Sequence, residues 1–191
     1  MHGALGVVTT SPEETRTLGA ALAPLLLPGD VISLSGDLGA GKTVFVQGVA
    51  SALGVEGRVT SPSFTIVHDY SGRYRIVHID VYRLSSFQEV LDLGFEELLD
   101  PEAVMLVEWG EAVAPLLPRR HLDVELRASG AGDADERIVV FRPRGGEWER
   151  KLDAMRSTAE TLLAAAAQAE VAPRFFEPAQ SWRRGPRVSG E

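Results

Sequence analysis

Apolar positions along the chain fall into short blocks. Their spacing switches between the period of a strand and the period of a helix. Leu5 to Thr9 (LGVVT) predicts a short strand. Thr10 or Ser11 then caps a helix, with Pro12 at a tolerated first position and Glu13 and Glu14 in the first turn. Leu18, Leu22, Leu25 and Leu26 give that helix one apolar stripe, and Pro28-Gly29-Asp30 turns the chain. Val31 to Leu34 is an apolar strand that runs into a glycine-rich stretch, and Val44 to Leu53 follows as a helix stopped by Gly54.

Residues 55–62 form a loop. Phe64 to Tyr70 and Tyr74 to Tyr82 are two strands joined by Ser71-Gly72-Arg73, a hairpin signal. Ser86 caps a short helix through Leu93, with Gly94 as its stop, and Glu96 to Leu99 adds a further turn. Val104 to Val107 (VMLV) is wholly apolar, as suits a strand buried on both faces. Leu122 to Arg127 and Arg137 to Arg142 alternate around the long loop 128–136. From Glu147 the sequence is Ala-rich and helical through Glu170. The remainder carries Pro173, Pro178 and Pro186 and is expected to pack loosely. The order predicts an α/β fold: a P-loop NTPase-like mixed sheet with a parallel core and appended antiparallel strands, flanked by helices. Residues 1–145 form the P-loop domain and residues 146–191 a C-terminal helix and poorly ordered tail.

Composition narrows the chemistry. The 191 residues contain no cysteine, which removes disulfides, thiolate metal sites and cysteine nucleophiles. His2, His68, His78 and His121 show no zinc spacing. No apolar run approaches the roughly 20 residues of a membrane span. The N-terminus lacks signal-like features, so a cytoplasmic protein without membrane association is the expectation. The net charge of −8 resides in residues 1–145, which hold 12 basic and 20 acidic residues; residues 146–191 hold 7 of each. An acidic main domain does not grip nucleic acid by neutralising phosphates, so any RNA role passes through a partner. Lys42 and Lys151 are the two lysines beside 17 arginines.

Gly36-Asp37-Leu38-Gly39-Ala40-Gly41-Lys42-Thr43 fits G-x-x-x-x-G-K-[ST]. Glycines let the backbone wrap an anion and present successive N–H groups to it. The helix that follows points its positive end at the same place. Lys42 is placed to reach the β- and γ-phosphates and the Thr43 hydroxyl to bind Mg²⁺. The flanking strand and helix supply the context this motif requires.

A P-loop needs an acid near its metal. Glu108, closing VMLVE, is the first candidate, against a solvent-facing strand end. Asp80 in HIDVYR is the second, placed to orient a metal shell or an attacking water, against a structural pairing with Arg75 or Arg83. Glu111 is a weaker third. Thr60-Ser61-Pro62-Ser63 is a hydroxyl-rich loop where nucleotide switches sense a γ-phosphate. Trp109 either stacks near a nucleotide and shields it or packs in the core. His78 reads as a packed residue. Tyr82 and Arg83 serve a partner surface or an ion pair, and Arg183, Arg184 and Arg187 read as a solvated end.

The segments GDLGAGKT (36–43), SPSFTIV (61–67), HIDVYRL (78–84) and VEWGE (107–111) resemble, in order and spacing, the motifs of the TsaE (YjeE) family. These are small bacterial P-loop ATPases that take part in threonylcarbamoyladenosine modification of tRNA. The likeness spans about residues 5–145; residues 146–191 exceed the family's usual length. Ser63 stands where the family's S-P-T-F has threonine, which keeps the hydroxyl and loses the methyl. The resemblance implies ATP on Leu38 to Thr43, and Mg²⁺ on Thr43 and Glu108. It implies a catalytic or metal-organising role for Asp80, and adenine near Thr10 to Pro12. It also implies two partners, TsaB and TsaD. TsaD transfers the threonylcarbamoyl group to the adenosine beside the anticodon. The ATPase resets that complex, works weakly alone, and meets tRNA only indirectly.

Two other functions share the Walker loop. A small-molecule or nucleotide kinase usually carries an Arg-rich lid, whereas here only Arg119-Arg120 follows Glu108 closely. A nucleotide-binding scaffold would bind and never hydrolyse. A regulatory GTPase needs an N/T-K-x-D motif, which a chain without asparagine and with Lys151 in ERKLD lacks.

Overall fold

A computed structural model describes residues 3–84, 86–129, 135–166 and 174–178. The strands are β1 (Leu5–Thr9), β2 (Val31–Ser35), β3 (Val67–Ser71), β4 (Arg75–Asp80), β5 (Ala103–Glu108), β6 (His121–Ala128), β7 (Arg137–Arg144) and β8 (Arg174–Phe176). The α-helices are α1 (Pro12–Leu22), α2 (Lys42–Ala52), α3 (Phe87–Asp92), α4 (Phe95–Leu98) and α5 (Gly146–Ala166). All eight strands join one sheet in the order β3-β4-β5-β2-β6-β7-β1-β8. The centre, β4-β5-β2-β6, is parallel. The flanks, β3 on β4 and β7-β1-β8 beyond β6, are antiparallel. This is the mixed α/β sheet that the sequence predicts.

Strand alternation divides the core in two. Ile32, Leu34, Ile76, Val104 and Leu106 face one side, where Leu18 and Leu22 of α1 and Phe45 and Val49 of α2 cover them. Val31, Val77, Ile79, Met105 and Val107 face the other, under Val90 of α3, Phe95 of α4 and Val113 of a 3-10 segment at Gly110–Leu116. All six residues of β5 are buried, as its unbroken apolar run requires. The two long helices of the first layer touch backbone to backbone. A Cβ at Gly48 would stand 1.9 Å from the Arg16 carbonyl oxygen, and one at Gly19 would stand 2.3 Å from that of Phe45. Only glycine permits this crossing, and it holds the start of α2 firmly beside α1.

Ser11 is the N-cap of α1, accepting the Glu14 N–H at 3.1 Å while the Glu14 carboxylate accepts the Thr10 N–H at 2.6 Å. The pair resembles a capping box, except that Glu14 reaches the N–H one residue before the cap. Ser86 caps α3 and Gly94 follows it in the left-handed region, as expected.

Three features differ from the sequence reading. The strand expected from Phe64 starts only at Val67, because residues 62–66 fold into a tight turn. There the Thr65 and Ile66 N–H groups both donate to the Pro62 carbonyl, and Ile66 has φ 68°. Alternation alone does not expose such a turn. Second, α5 is not an appendage: Trp148, Leu152, Met155, Ala159 and Leu163 join the same core as α1. Lys151 is half-enclosed over Trp148 and donates to Asp30 at 2.5 Å. Third, part of the supposedly loose tail is β8, whose Phe175 packs on that core. Residues 130–134 of the long loop, 167–170 of the Ala-rich run, and Arg183, Arg184 and Arg187 lie outside the described residues. Among the described residues no helix is long and apolar enough to cross a membrane.

Candidate functional site

The chain leaves the carboxyl end of β2 at Ser35 and re-enters helix at Lys42. The bend between must pass close to β6. A Cβ on Gly36, at φ 132°, would lie 2.0 Å from the Leu126 carbonyl oxygen, so no other residue fits. Gly41 closes the bend as the left-handed N-cap of α2. The first bond within α2 runs from the Phe45 N–H to the Gly41 carbonyl at 2.9 Å. The N–H groups of Lys42, Thr43 and Val44 therefore have no partner within the helix and carry its positive end.

Parallel pairing brings the acids to this bend. β5 lies between β2 and β4, with Leu34 opposite Glu108 and Glu108 opposite Asp80. Both carboxylates thus stand at the carboxyl ends of central strands, where open α/β sheets bind ligands. Glu108 is buried and accepts the Thr43 hydroxyl at 2.8 Å on Oε1 and 3.1 Å on Oε2. His78 Nε2 lies 2.9 Å from Glu108 Oε1. Asp80 is buried too. Its Oδ2 accepts the Ser63 hydroxyl at 3.0 Å and that of Ser61, and its Oδ1 accepts the Tyr82 N–H at 2.9 Å. The tight turn at residues 62–66 brings the two serines to it.

Lys42 lies across the bend. Its Nζ donates to the carbonyls of Gly36 at 2.6 Å and Asp37 at 2.9 Å, and sits 3.8 Å from the centre of the Trp109 ring. Burial pushes its pKa below the ordinary 10.5, while the carboxylates of Glu108, Glu111, Asp80 and Asp37 pull it upward. Glu111 therefore acts on the site through its field. Trp109 adopts φ 61° and stacks on Tyr82 with ring centres 4.9 Å apart. It lines the site's wall and, half-buried, packs against the second core cluster. These groups line a cleft of about 390 Å³ that includes Leu38, Gly39, Ala40, Ser61, Phe64 and Arg83.

Most residues singled out in the sequence meet here: Leu38 to Thr43, Asp80, Glu108 and Trp109 line the cleft, as do Ser61, Ser63, Tyr82 and Arg83. Gly36 and Asp37 turn their carbonyls to Lys42. The structural pairing weighed for Asp80 is not formed: Arg75 pairs with Asp69 and Asp100, and Arg83 lies 4.1 Å from the Phe64 ring centre. Thr10, Ser11 and Pro12 do not line the cleft; from α1, Thr15 would lie 3.7 Å from a Cβ built on Gly41. Sequence reasoning missed Phe64, which it placed in a strand, and it gave His78 only a packing role. No signal separates a buried histidine beside a carboxylate from one that merely fills space.

The donor set is one of hard oxygens beside a cluster of N–H groups and one ammonium. Thr43 and Glu108 are placed to hold a small divalent cation, with Asp80 next to them. Among the described residues no three acidic or histidine side chains form a self-sufficient metal cage. A cation here would draw further ligands from the anion it accompanies, as Mg²⁺ does with nucleotides.

A glycine bend ending in Lys42 and Thr43, set between a central parallel strand and its helix, places the chain among P-loop α/β proteins. Residues 9–138 match the family described as "Threonylcarbamoyl adenosine biosynthesis protein TsaE", and the chain belongs to that family. The TsaE protein of Bacillus subtilis (strain 168) is 42% identical over 142 residues, covering 74% of this chain and 87% of the relative. That of Treponema pallidum (strain Nichols) is 40% identical over 128 residues, or 67% and 95% of the two chains. That of Mycobacterium tuberculosis (strain ATCC 25618 / H37Rv) is 44% identical over 138 residues, or 68% and 81%. All three are named tRNA threonylcarbamoyladenosine biosynthesis proteins. A crystal structure of Bacillus subtilis YdiB superposes with a TM-score of 0.70 at 35% identity, covering 82% of this chain and 97% of that one. The family works in tRNA threonylcarbamoyladenosine biosynthesis.

Proposed function

We propose that this chain binds ATP with Mg²⁺ in the cleft and hydrolyses it to ADP and phosphate. It serves the TsaB–TsaD complex in threonylcarbamoyladenosine formation and is not itself the transferase. The observation that carries the reading is the convergence of Lys42, Thr43 and Glu108 on one glycine bend at the carboxyl end of the parallel strands.

The N–H groups at the start of α2 and the Lys42 ammonium take the phosphates. Lys42 gives up the Gly36 and Asp37 carbonyls to do so, and its charge offsets the negative charge that grows as the γ-phosphoryl departs. Thr43 and Glu108 would hold Mg²⁺, which when bound would neutralise charge on the phosphate oxygens. Asp80, steadied by Ser61 and Ser63, orients the water that attacks the γ-phosphorus as its bond to the ADP oxygen breaks. Arg83 lines the cleft with its guanidinium against the Phe64 ring, and no arginine finger is identifiable in the sequence. Turnover by the isolated chain is therefore slow, and contact with the partner complex accelerates it. The acidic main domain suits a protein that reaches tRNA only through TsaB and TsaD. Location in the cytoplasm follows from that role.

The test is phosphate release from ATP by the purified chain, with and without purified TsaB and TsaD. The reading expects slow release alone and a clear acceleration by the pair. No release under either condition leaves only a binding scaffold. ADP formation without free phosphate, seen only when a small acceptor is added and becomes phosphorylated, supports the kinase reading instead.

A further inference from the structure

His78 is fully buried on β4, where Ile76, Val77, Ile79 and Asp80 are buried with it. A polar ring in such a place is unfavourable unless it makes a hydrogen bond. It makes one: Nε2 lies 2.9 Å from Glu108 Oε1. A carboxylate oxygen can only accept, so the hydrogen is on Nε2. The other ring nitrogen, Nδ1, has no hydrogen-bond partner among the described residues. A proton there would be a buried donor with nothing to meet. Packing alone therefore does not account for histidine here, since a leucine would fill the space without leaving Nδ1 unpaired.

The Glu108 carboxylate has two donors, Thr43 and His78. They differ in kind. Thr43 belongs to the glycine bend and its hydroxyl is wanted by the cation of the proposed function. His78 is in the sheet, behind Glu108, and competes with nothing in the cleft. Its bond and the shorter Thr43 bond, at 2.8 Å, both fall on Oε1, while Oε2 has only the longer 3.1 Å contact from Thr43. We propose that His78 is a positioning residue for Glu108: its Nε2–H fixes the carboxylate through Oε1, beside the Thr43 hydroxyl, so that the less engaged Oε2 is left for the cation. Partners of this kind, behind a ligating group, set ligand orientation and metal affinity. This inference rests on the reading of the cleft as a Mg²⁺–nucleotide site.

Two measurements test it. Nitrogen-15 NMR of the histidine rings in the free full-length chain reads which nitrogen carries the proton. The expected result is protonated Nε2 and bare Nδ1 on His78; a proton on Nδ1 overturns the proposal. Calorimetry then measures a non-hydrolysable ATP analogue with Mg²⁺ and with chelator, for wild type, His78→Gln and His78→Leu, with thermal unfolding as the check on folding. Loss of the donor in His78→Leu is expected to reduce the Mg²⁺-dependent gain in affinity about 10- to 100-fold and to leave binding in chelator unchanged. His78→Gln, which restores an N–H, is expected to keep the gain within about threefold of wild type. Leu with an undiminished gain, or Gln as impaired as Leu, overturns the proposal. If the Leu variant does not fold, the Gln variant and the ring tautomer decide. Wild type without affinity for the analogue overturns the functional reading instead, and the tautomer still decides the positioning of Glu108.

Discussion

Asp80 and Glu108 stand opposite one another in the β4–β5 ladder, yet their carboxylates are held by different parts of the chain. Asp80 is tied to the loop before β3 through Ser61 and Ser63, and Glu108 to the start of α2 through Thr43. Two acids in register, one linked to a loop and one to the helix of the glycine bend, are suited to separate tasks. Glu108→Ala should therefore remove most of the Mg²⁺ dependence of ATP binding. Asp80→Ala should bind ATP as wild type does and lose about 100-fold in partner-stimulated turnover. Equilibrium binding and single-turnover phosphate release on the same samples read the split. Equal effects of both substitutions on binding would remove Asp80 from the reaction.

Ser63 carries the hydroxyl that the family's threonine would supply. It donates to Asp80 at 3.0 Å, a bond to a charged acceptor. Ser63→Thr keeps the donor and should leave turnover unchanged. Ser63→Ala deletes it and should slow turnover about fivefold, the equivalent of about 1 kcal/mol. Steady-state phosphate release distinguishes them; an Ala variant as fast as the Thr variant shows that Ser61 alone suffices.

Lys42 gives the site a pH signature. Burial lowers its pKa from 10.5 despite the acids around it. Between the lowered value and 10.5 the unfolded chain holds a proton that the folded chain has shed, so folded stability rises with pH across that window. Denaturant unfolding of wild type and Lys42→Met, compared from about pH 8 to about pH 10, should show their difference moving in favour of wild type as pH rises. A difference that moves the other way contradicts the burial of this ammonium.

Trp109 combines a stacked ring with a backbone angle of φ 61°, a region costly for side chains. Substituting Ala removes the ring and keeps the strain; substituting Gly removes both. Trp109→Gly should be more stable than Trp109→Ala by about 1 kcal/mol, against the usual order for the two residues. Thermal unfolding reads the ranking, and Ala above Gly would mean that the backbone relaxes when the ring is lost.

The glycine bend and its two flanking elements were legible because their determinants are local: an apolar run, three glycines, a lysine and a helix pattern. Glu108 was legible for a similar reason, closing an apolar strand of a parallel sheet. Asp80 was found, but its partners were not. An arginine three or five residues away in sequence is a natural guess, whereas the serines reach it only because residues 62–66 make a turn that alternation does not announce. His78 illustrates a different limit, since its meaning depends on register across β4 and β5. α5 was predicted as a helix, but its Trp148 to Leu163 face joins the main core, and the change from a net negative to a neutral segment after residue 145 does not mark a break in packing. β8 is three residues long, and its place beside β1 comes from long-range pairing.

The central claim is that the bend at residues 36–43 is a triphosphate seat with Lys42 as its cation. Calorimetric titration of ATP and Mg²⁺ into wild type and Lys42→Ala tests it most directly. The account predicts saturable binding by wild type and a loss of at least about tenfold in the variant, with both chains folded. Equal affinity in the two chains would contradict it.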